Sequence, residues 1–118
     1  MIGIVIVSHS ARLAEGVREL ASQMTQGKVP IAVAGGIDAP DNPIGTDANR
    51  VVQAIQEVFS DDGVIVLMDL GSALLSAEMA LEFLPEEQRE RIYLLDAPLV
   101  EGAVAAAAQA AATGDIQA

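Results

Sequence analysis

Cysteine is absent from the 118 residues, which excludes disulfides, thiolate metal sites and thiol nucleophiles. Tryptophan is absent too, and the only aromatics are Phe59, Phe83 and Tyr93. So few rings give nucleic-acid bases nothing to stack on. Basic side chains are scarce: six Lys and Arg stand against seventeen Asp and Glu, for a net charge of -11. A phosphate backbone has to be met by Lys and Arg, so nucleic acid is not the expected partner. The same charge suits encounter with a basic protein, or serves solubility alone. No apolar stretch is long enough to cross a bilayer, and the first strand follows Met1 with no basic leader. A cytoplasmic protein with no membrane partner is expected. Neither G-x-G-x-x-G after the first strand nor G-x-x-x-x-G-K-[ST] occurs, so the dinucleotide-binding and P-loop readings lack their residues.

What the chain does have is apolar bulk, 52% of its residues, arranged as alternating strands and helices over a single domain, residues 1–118. Residues 2–7 are a nearly unbroken β-branched run, the pattern of a strand buried on both faces. Ser10 can cap a helix over 11–25, with Leu13, Val17, Leu20 and Met24 at helical spacing to cover one sheet face and Gly27 to stop it. A second strand is expected at 30–35, which Pro30 can only open. A loop rich in Gly, Pro, Asp and Asn follows over 36–45, and a loop this long within a compact domain is usually functional. Thr46 or Asp47 starts a second helix to about 59, with Val51, Val52, Ile55, Val58 and Phe59 inward. Residues 64–68 form a third buried strand; Ser72 can cap a helix over 73–84 with Leu74, Ala77, Leu81 and Leu84 inward. After a charged surface segment come a short strand at 92–95 and an alanine-rich helix at 102–112, whose small side chains permit close packing; Thr113 and Gly114 end it. This alternation implies an α/β fold: a mainly parallel four-stranded sheet, expected order 2-1-3-4, with helices on both faces.

In that order the chain reverses direction between strands one and three, and ligands bind at such a switch point. His9, the only histidine, stands at the carboxyl end of strand one, beside a helix amino terminus. A neutral imidazole has one nitrogen with a lone pair, so it can attack phosphorus and hold a phosphoryl group as a phosphoramidate. A carboxylate on the other ring N–H fixes the tautomer, and Asp69 fills that place if strands one and three are neighbours. The helix after Ser10 turns its unpaired N–H groups and positive dipole end toward the site, which suits a phosphate dianion. Ser72 and Thr46 could add hydrogen bonds. Each residue also has a plainer reading: His9 as a structural histidine, Asp69 as a helix-entry residue, Ser10 and Ser72 as caps. Ser8 and Ser10 flank His9 too closely in sequence to form a nucleophile–base pair with it. A metal site would need His9 with Asp38, Asp69 and Asp96, which all end strands; nothing in their spacing signals one, and none is expected.

Val5-Ile-Val-Ser-His-Ser10, Gly36-Ile-Asp, Asn42-Pro-Ile-Gly-Thr-Asp47, Met68-Asp-Leu-Gly-Ser-Ala-Leu-Leu-Ser-Ala-Glu78 and Ala97-Pro-Leu-Val-Glu-Gly-Ala103 together resemble one family over almost the whole chain. This is the phosphotransferase subunit of PTS-dependent dihydroxyacetone kinases, specifically its IIA domain. That domain belongs to the mannose-type IIA group of the phosphoenolpyruvate-dependent phosphotransferase system (PTS). The resemblance places the phosphorylated histidine on His9 and its carboxylate partner on Asp69. It implies that Nε2 carries the phosphate, with backbone N–H groups near Ser10, Gly71 and Ser72, and the Ser72 hydroxyl, holding the phosphoryl oxygens. It implies that phosphate arrives from phosphoenolpyruvate through enzyme I and the phosphocarrier protein HPr. From His9 it would pass to ADP on a separate nucleotide-binding subunit, a third subunit carrying dihydroxyacetone. ADP, ATP and magnesium would sit on that partner, leaving this chain without a bound cofactor, and the group is typically homodimeric. The alternatives are the same chemistry serving a mannose-type sugar permease, a regulatory module whose partners change with phosphorylation of His9, and a small-molecule-binding domain with His9 as a ligand contact.

Overall fold

The computed structural model describes residues 1–37, 46–69, 71–95 and 97–113. Its elements run β1 (Gly3–Ser8), α1 (Ala11–Met24), β2 (Ile31–Gly35), α2 (Ala48–Val58), β3 (Val64–Met68), α3 (Gly71–Glu82), α4 (Glu86–Arg89), β4 (Ile92–Leu95) and α5 (Leu99–Thr113). The four strands make one parallel sheet in the order β2-β1-β3-β4, the expected topology. β1 is central and wholly buried, as its run of Ile and Val requires.

Alternation along β1 divides the core into two layers. Val5 and Val7 face α2 and α3, where Val51, Ile55, Val58, Ala73, Ala77 and Ala80 cover them. Ile2, Ile4 and Ile6 face α1 and α5, meeting Ala14, Val17, Ala21, Ala103, Ala107 and Ala110. Helices therefore cover both faces. The alanine surfaces of α1 and α5 let these two helices pack together while both reach the sheet.

The inward faces of α1 and α3 differ from the expectation. Leu13, Leu20 and Met24 are exposed, and Ala14, Val17 and Ala21 point inward instead. The two stripes share Val17 and both follow helical spacing; α5 beside α1 leaves room for methyl groups and not for leucines. On α3, Leu74 is likewise exposed and Leu81 half-buried, while Ala73, Ala77 and Ala80, with Leu84 just beyond the helix, enter the core. On α2 the expected residues do face inward, with Ala54 added. α5 begins at Leu99 rather than 102, because the Pro98 carbonyl accepts a hydrogen bond from the Gly102 N–H and closes an earlier turn. The segment after Pro85 forms the short α4. Most of the loop over 36–45, Asp38, Asp96 and the expected stop at Gly114 lie outside the described residues. No helix among the described residues is long and apolar enough to cross a membrane.

Candidate functional site

The parallel register of β1 against β3 sets Val7 beside Met68. The next backbone hydrogen bond, from the Asp69 N–H to the Val7 carbonyl (3.2 Å), carries the ladder one step further. It brings Asp69 alongside Ser8 and His9. Oδ1 of Asp69 lies 2.9 Å from Nδ1 of His9. Oδ2 accepts two hydrogen bonds, from the Ser8 hydroxyl at 2.9 Å and from the His9 backbone N–H at 3.0 Å. Both oxygens of the carboxylate are therefore engaged. The His9 and Asp69 side chains are 17% and 12% exposed, so the pair is mostly buried but still reached by solvent.

Burial taken alone would push the Asp69 carboxyl up. The hydrogen bonds from the His9 ring, the His9 N–H and the Ser8 hydroxyl, with the attraction of a charged ring, outweigh it and hold the carboxyl below its ordinary value. Asp69 thus stands ionised beside the ring, which orients Nδ1 as the N–H side.

Two helices open at the same edge of the sheet. Ser10 caps α1, its hydroxyl accepting from the Leu13 N–H at 3.3 Å. The Ser10 N–H is itself taken by the Ser8 hydroxyl at 3.1 Å. α3 starts at Gly71, two positions after Asp69, so Ser72 belongs to its first turn rather than capping it. The side chains of Gly71 and Ser72 lie outside what the structure describes. First-turn N–H groups have no partner within their own helix and carry the positive end of the helix dipole.

At the neighbouring strand end, Gly36 donates its N–H to the Ser8 carbonyl at 3.2 Å. Arg50 of α2 donates to the Gly35 carbonyl at 2.9 Å. A Cβ on Gly35 would come within 2.8 Å of the Ala11 Cα, so glycine there lets β2 meet the start of α1. The Thr46 hydroxyl pairs with that of Ser76, which ties the entry to α2 onto α3. Among the described residues no three His, Asp or Glu side chains converge as a metal site would need.

Of the residues singled out in the sequence, the structure brings His9, Asp69 and Ser10 together and places Thr46 against α3. Ser8 is weighed in the sequence only as a nucleophile, its bond to Asp69 unforeseen, and Arg50 is not among the candidates there. For Ser8 the available signal was a serine closing an otherwise apolar buried strand, since a buried hydroxyl requires a partner. For Arg50 the backbone carbonyls of Gly35 and Gly36 that it meets carry no side-chain signal in the sequence.

Fold and site together define a class: a parallel α/β domain with one carboxylate-held histidine at the carboxyl end of its central strand. Within that class, the chain belongs to the family described as the PTS system fructose IIA component (EIIA-man), whose model matches residues 3–118. It is 56% identical over 117 residues to the phosphoryl donor subunit DhaM of the PEP-dependent dihydroxyacetone kinase of Escherichia coli K12, covering 98% of this chain and 25% of that protein. It is 42% identical over 109 residues to the phosphoryl donor subunit DhaM of PEP-dependent dihydroxyacetone kinase 2 of Listeria innocua, covering 92% of this chain and 86% of that one. The chain thus spans about a quarter of the length of the first curated relatives it matches. A crystal structure of the unknown function protein EF1359 superposes with a TM-score of 0.84 at 36% identity, covering 98% of this chain and 87% of the other.

Proposed function

We propose that this chain is a phosphoryl carrier that accepts phosphate on His9 from HPr and passes it to ADP on the nucleotide-binding subunit of a dihydroxyacetone kinase. The observation that carries the reading is the 2.9 Å pairing of His9 Nδ1 with an ionised Asp69. The names of its relatives, phosphoryl donor subunits of dihydroxyacetone kinases, supply the acceptor system.

The chemistry follows from the ring. With its Nδ1 proton directed at Asp69, His9 attacks phosphorus through the Nε2 lone pair, in line with the phosphohistidine bond of HPr. The Nε2–P bond forms as that N–P bond breaks, and its electron pair returns to the donor ring. The Nδ1 proton stays in place, and the Asp69 charge offsets the positive charge that builds on the ring. First-turn N–H groups of α1 and α3, near Ser10, Gly71 and Ser72, bind the phosphoryl oxygens, with the Ser72 hydroxyl as a further donor; the Thr46 hydroxyl is instead engaged by Ser76. In discharge, an oxygen of the terminal ADP phosphate attacks phosphorus and the Nε2–P bond breaks back onto His9. The chain's own work is positioning and electrostatics. ADP, its magnesium and dihydroxyacetone belong to the partner subunits, so this chain needs no cofactor of its own.

The chain works in the cytoplasm, where HPr is phosphorylated, and as a homodimer. Leu74, Leu75 and Met79 on α3 and Tyr93 and Leu95 on the edge strand β4 are exposed, which supports an apolar contact with a second copy. Sedimentation as a monomer at all concentrations would remove that part of the reading. A second acceptor is favoured by the family description, a fructose IIA component: the same His9 chemistry feeding a sugar permease.

The test is intact mass after incubation with phosphoenolpyruvate, enzyme I and HPr. One added phosphate is expected, lost in acid and absent in His9→Ala. ADP with the kinase subunits should then discharge it. No added mass on a folded chain with active upstream proteins overturns the carrier reading. Discharge only by a membrane fraction would replace the kinase with the permease.

A further inference from the structure

Among the described residues, the buried polar side chains are Ser8 and Thr25. Thr25 is satisfied locally, by carbonyls of its own helix end, Ala21 and Ser22. Ser8 is different. It closes the row Ile2, Ile4, Ile6 on one face of β1, is fully buried, and spends its hydroxyl proton on a carboxylate 61 positions away. Packing by itself would be met there by an alanine or a valine. A hydroxyl in that place costs free energy unless its hydrogen bonds are made, and here both are: one donated to Asp69 Oδ2, one accepted from the Ser10 N–H.

We infer that Ser8 is a positioning residue for phosphoryl transfer, its hydroxyl locking the Asp69 carboxylate against His9 and linking it to the amino end of α1. The inference rests on the carrier reading above. The terminal torsion of an aspartate is broad and soft, so a carboxylate held at one oxygen can swing about its axis. Asp69 is held at Oδ2 by Ser8 and the His9 N–H, which sets the direction in which Oδ1 meets Nδ1. The His9 ring is the group that this carboxylate faces through Oδ1. The accepted bond from Ser10 connects the same hydroxyl to the cap of the helix that faces the phosphoryl group. One buried hydroxyl therefore fixes the carboxylate that supports the ring and the start of the helix that receives the anion.

The test compares the full chain with Ser8→Ala, Ser8→Thr and Ser8→Cys, each checked for native circular dichroism. Two quantities are read: the single-turnover rate of phosphate acceptance from phosphorylated HPr against pH, and the Asp69 carboxyl titration by NMR. Among folded variants the rate should follow donor strength. Ser8→Thr should stay near the natural protein, Ser8→Cys fall below it, and Ser8→Ala fall about tenfold, the loss of one hydrogen bond to a charged group. In Ser8→Ala the Asp69 titration should move upward, and the acid fall-off of the rate with it. A purely structural serine would move neither. Natural rate and titration in Ser8→Ala, or equal slowing in all three variants, overturns the inference and leaves the carrier reading intact. A natural chain that takes no phosphate overturns the carrier reading instead, and an unchanged Asp69 titration in Ser8→Ala counts against Ser8 in either case.

Discussion

Asp69 reaches His9 across 60 positions of sequence because the parallel register of β1 and β3 sets Val7 beside Met68, one position before Asp69 and two before His9. The 2.9 Å contact between Oδ1 and Nδ1 is thus a property of two adjacent strand ends, and the order of the sheet is what makes it possible.

The pair makes the first prediction. Asp69→Asn keeps the shape and removes the charge that offsets the phosphorylated ring. Losing a charged hydrogen bond of about 1.5–3 kcal/mol should slow phosphate acceptance roughly tenfold to a hundredfold. The fold should survive. Rapid-quench rates beside a thermal melt check both halves; an unchanged rate would make Asp69 a purely structural residue.

Acid stability follows from the same carboxyl. Its value is held below the ordinary one in the folded chain. The unfolded chain therefore binds this proton first as the pH falls, so Asp69 contributes stability that is present above the unfolded value, about 3.9. That contribution is lost as the pH drops from there through the folded value. Melting temperatures measured from neutral pH down to acid should show Asp69→Asn losing less stability below about pH 4 than the natural chain does. Parallel acid curves for the two proteins would contradict the assignment.

Two glycines should behave in opposite ways. At Gly35 a Cβ would press on the Ala11 Cα at 2.8 Å, and Ala11 opens the helix beside His9. Gly35→Ala should cost about 1–3 kcal/mol and slow phosphate acceptance as α1 is displaced. At Gly16, inside α1, a Cβ meets nothing within 4 Å. Gly16→Ala should stabilise the chain by roughly 0.5–1 kcal/mol and leave transfer unchanged. Chemical denaturation of the two variants reads both signs in one experiment.

The orientation of α1 is testable by adjacent substitutions. Leu20 is 43% exposed and Ala21 is fully buried. Leu20→Gln should fall within about 0.5 kcal/mol of the natural stability, whereas Ala21→Leu should cost about 1–3 kcal/mol through overpacking against the sheet and α5. The reverse ranking would mean that the leucine stripe faces the sheet.

Much of this protein was legible in its residues. The β-branched runs at 2–7 and 64–68 read as buried strands, Ser10 announced the start of the helix it caps, and of the two candidates Thr46 and Asp47 the structure makes Asp47 the cap of α2. Alternation of strand and helix implied the parallel sheet, and with it the position of His9 at a strand end. These features are local: side-chain branching, backbone preference and hydrogen bonding to the nearest turn decide them. Tertiary structure decided the rest. Hydrophobicity favoured the leucines of α1 and α3, but the space left between helix and sheet admitted alanines, a matter of how closely neighbouring elements approach. The start of α5 depended on the Pro98 carbonyl, and the role of Ser8 on a carboxylate from another strand. Sequence by itself determined which strand ends carry a histidine and an aspartate. Only the register of β1 against β3 decided that they meet, because hydrogen-bonded pairing of strands is a relation between distant segments that no single segment contains.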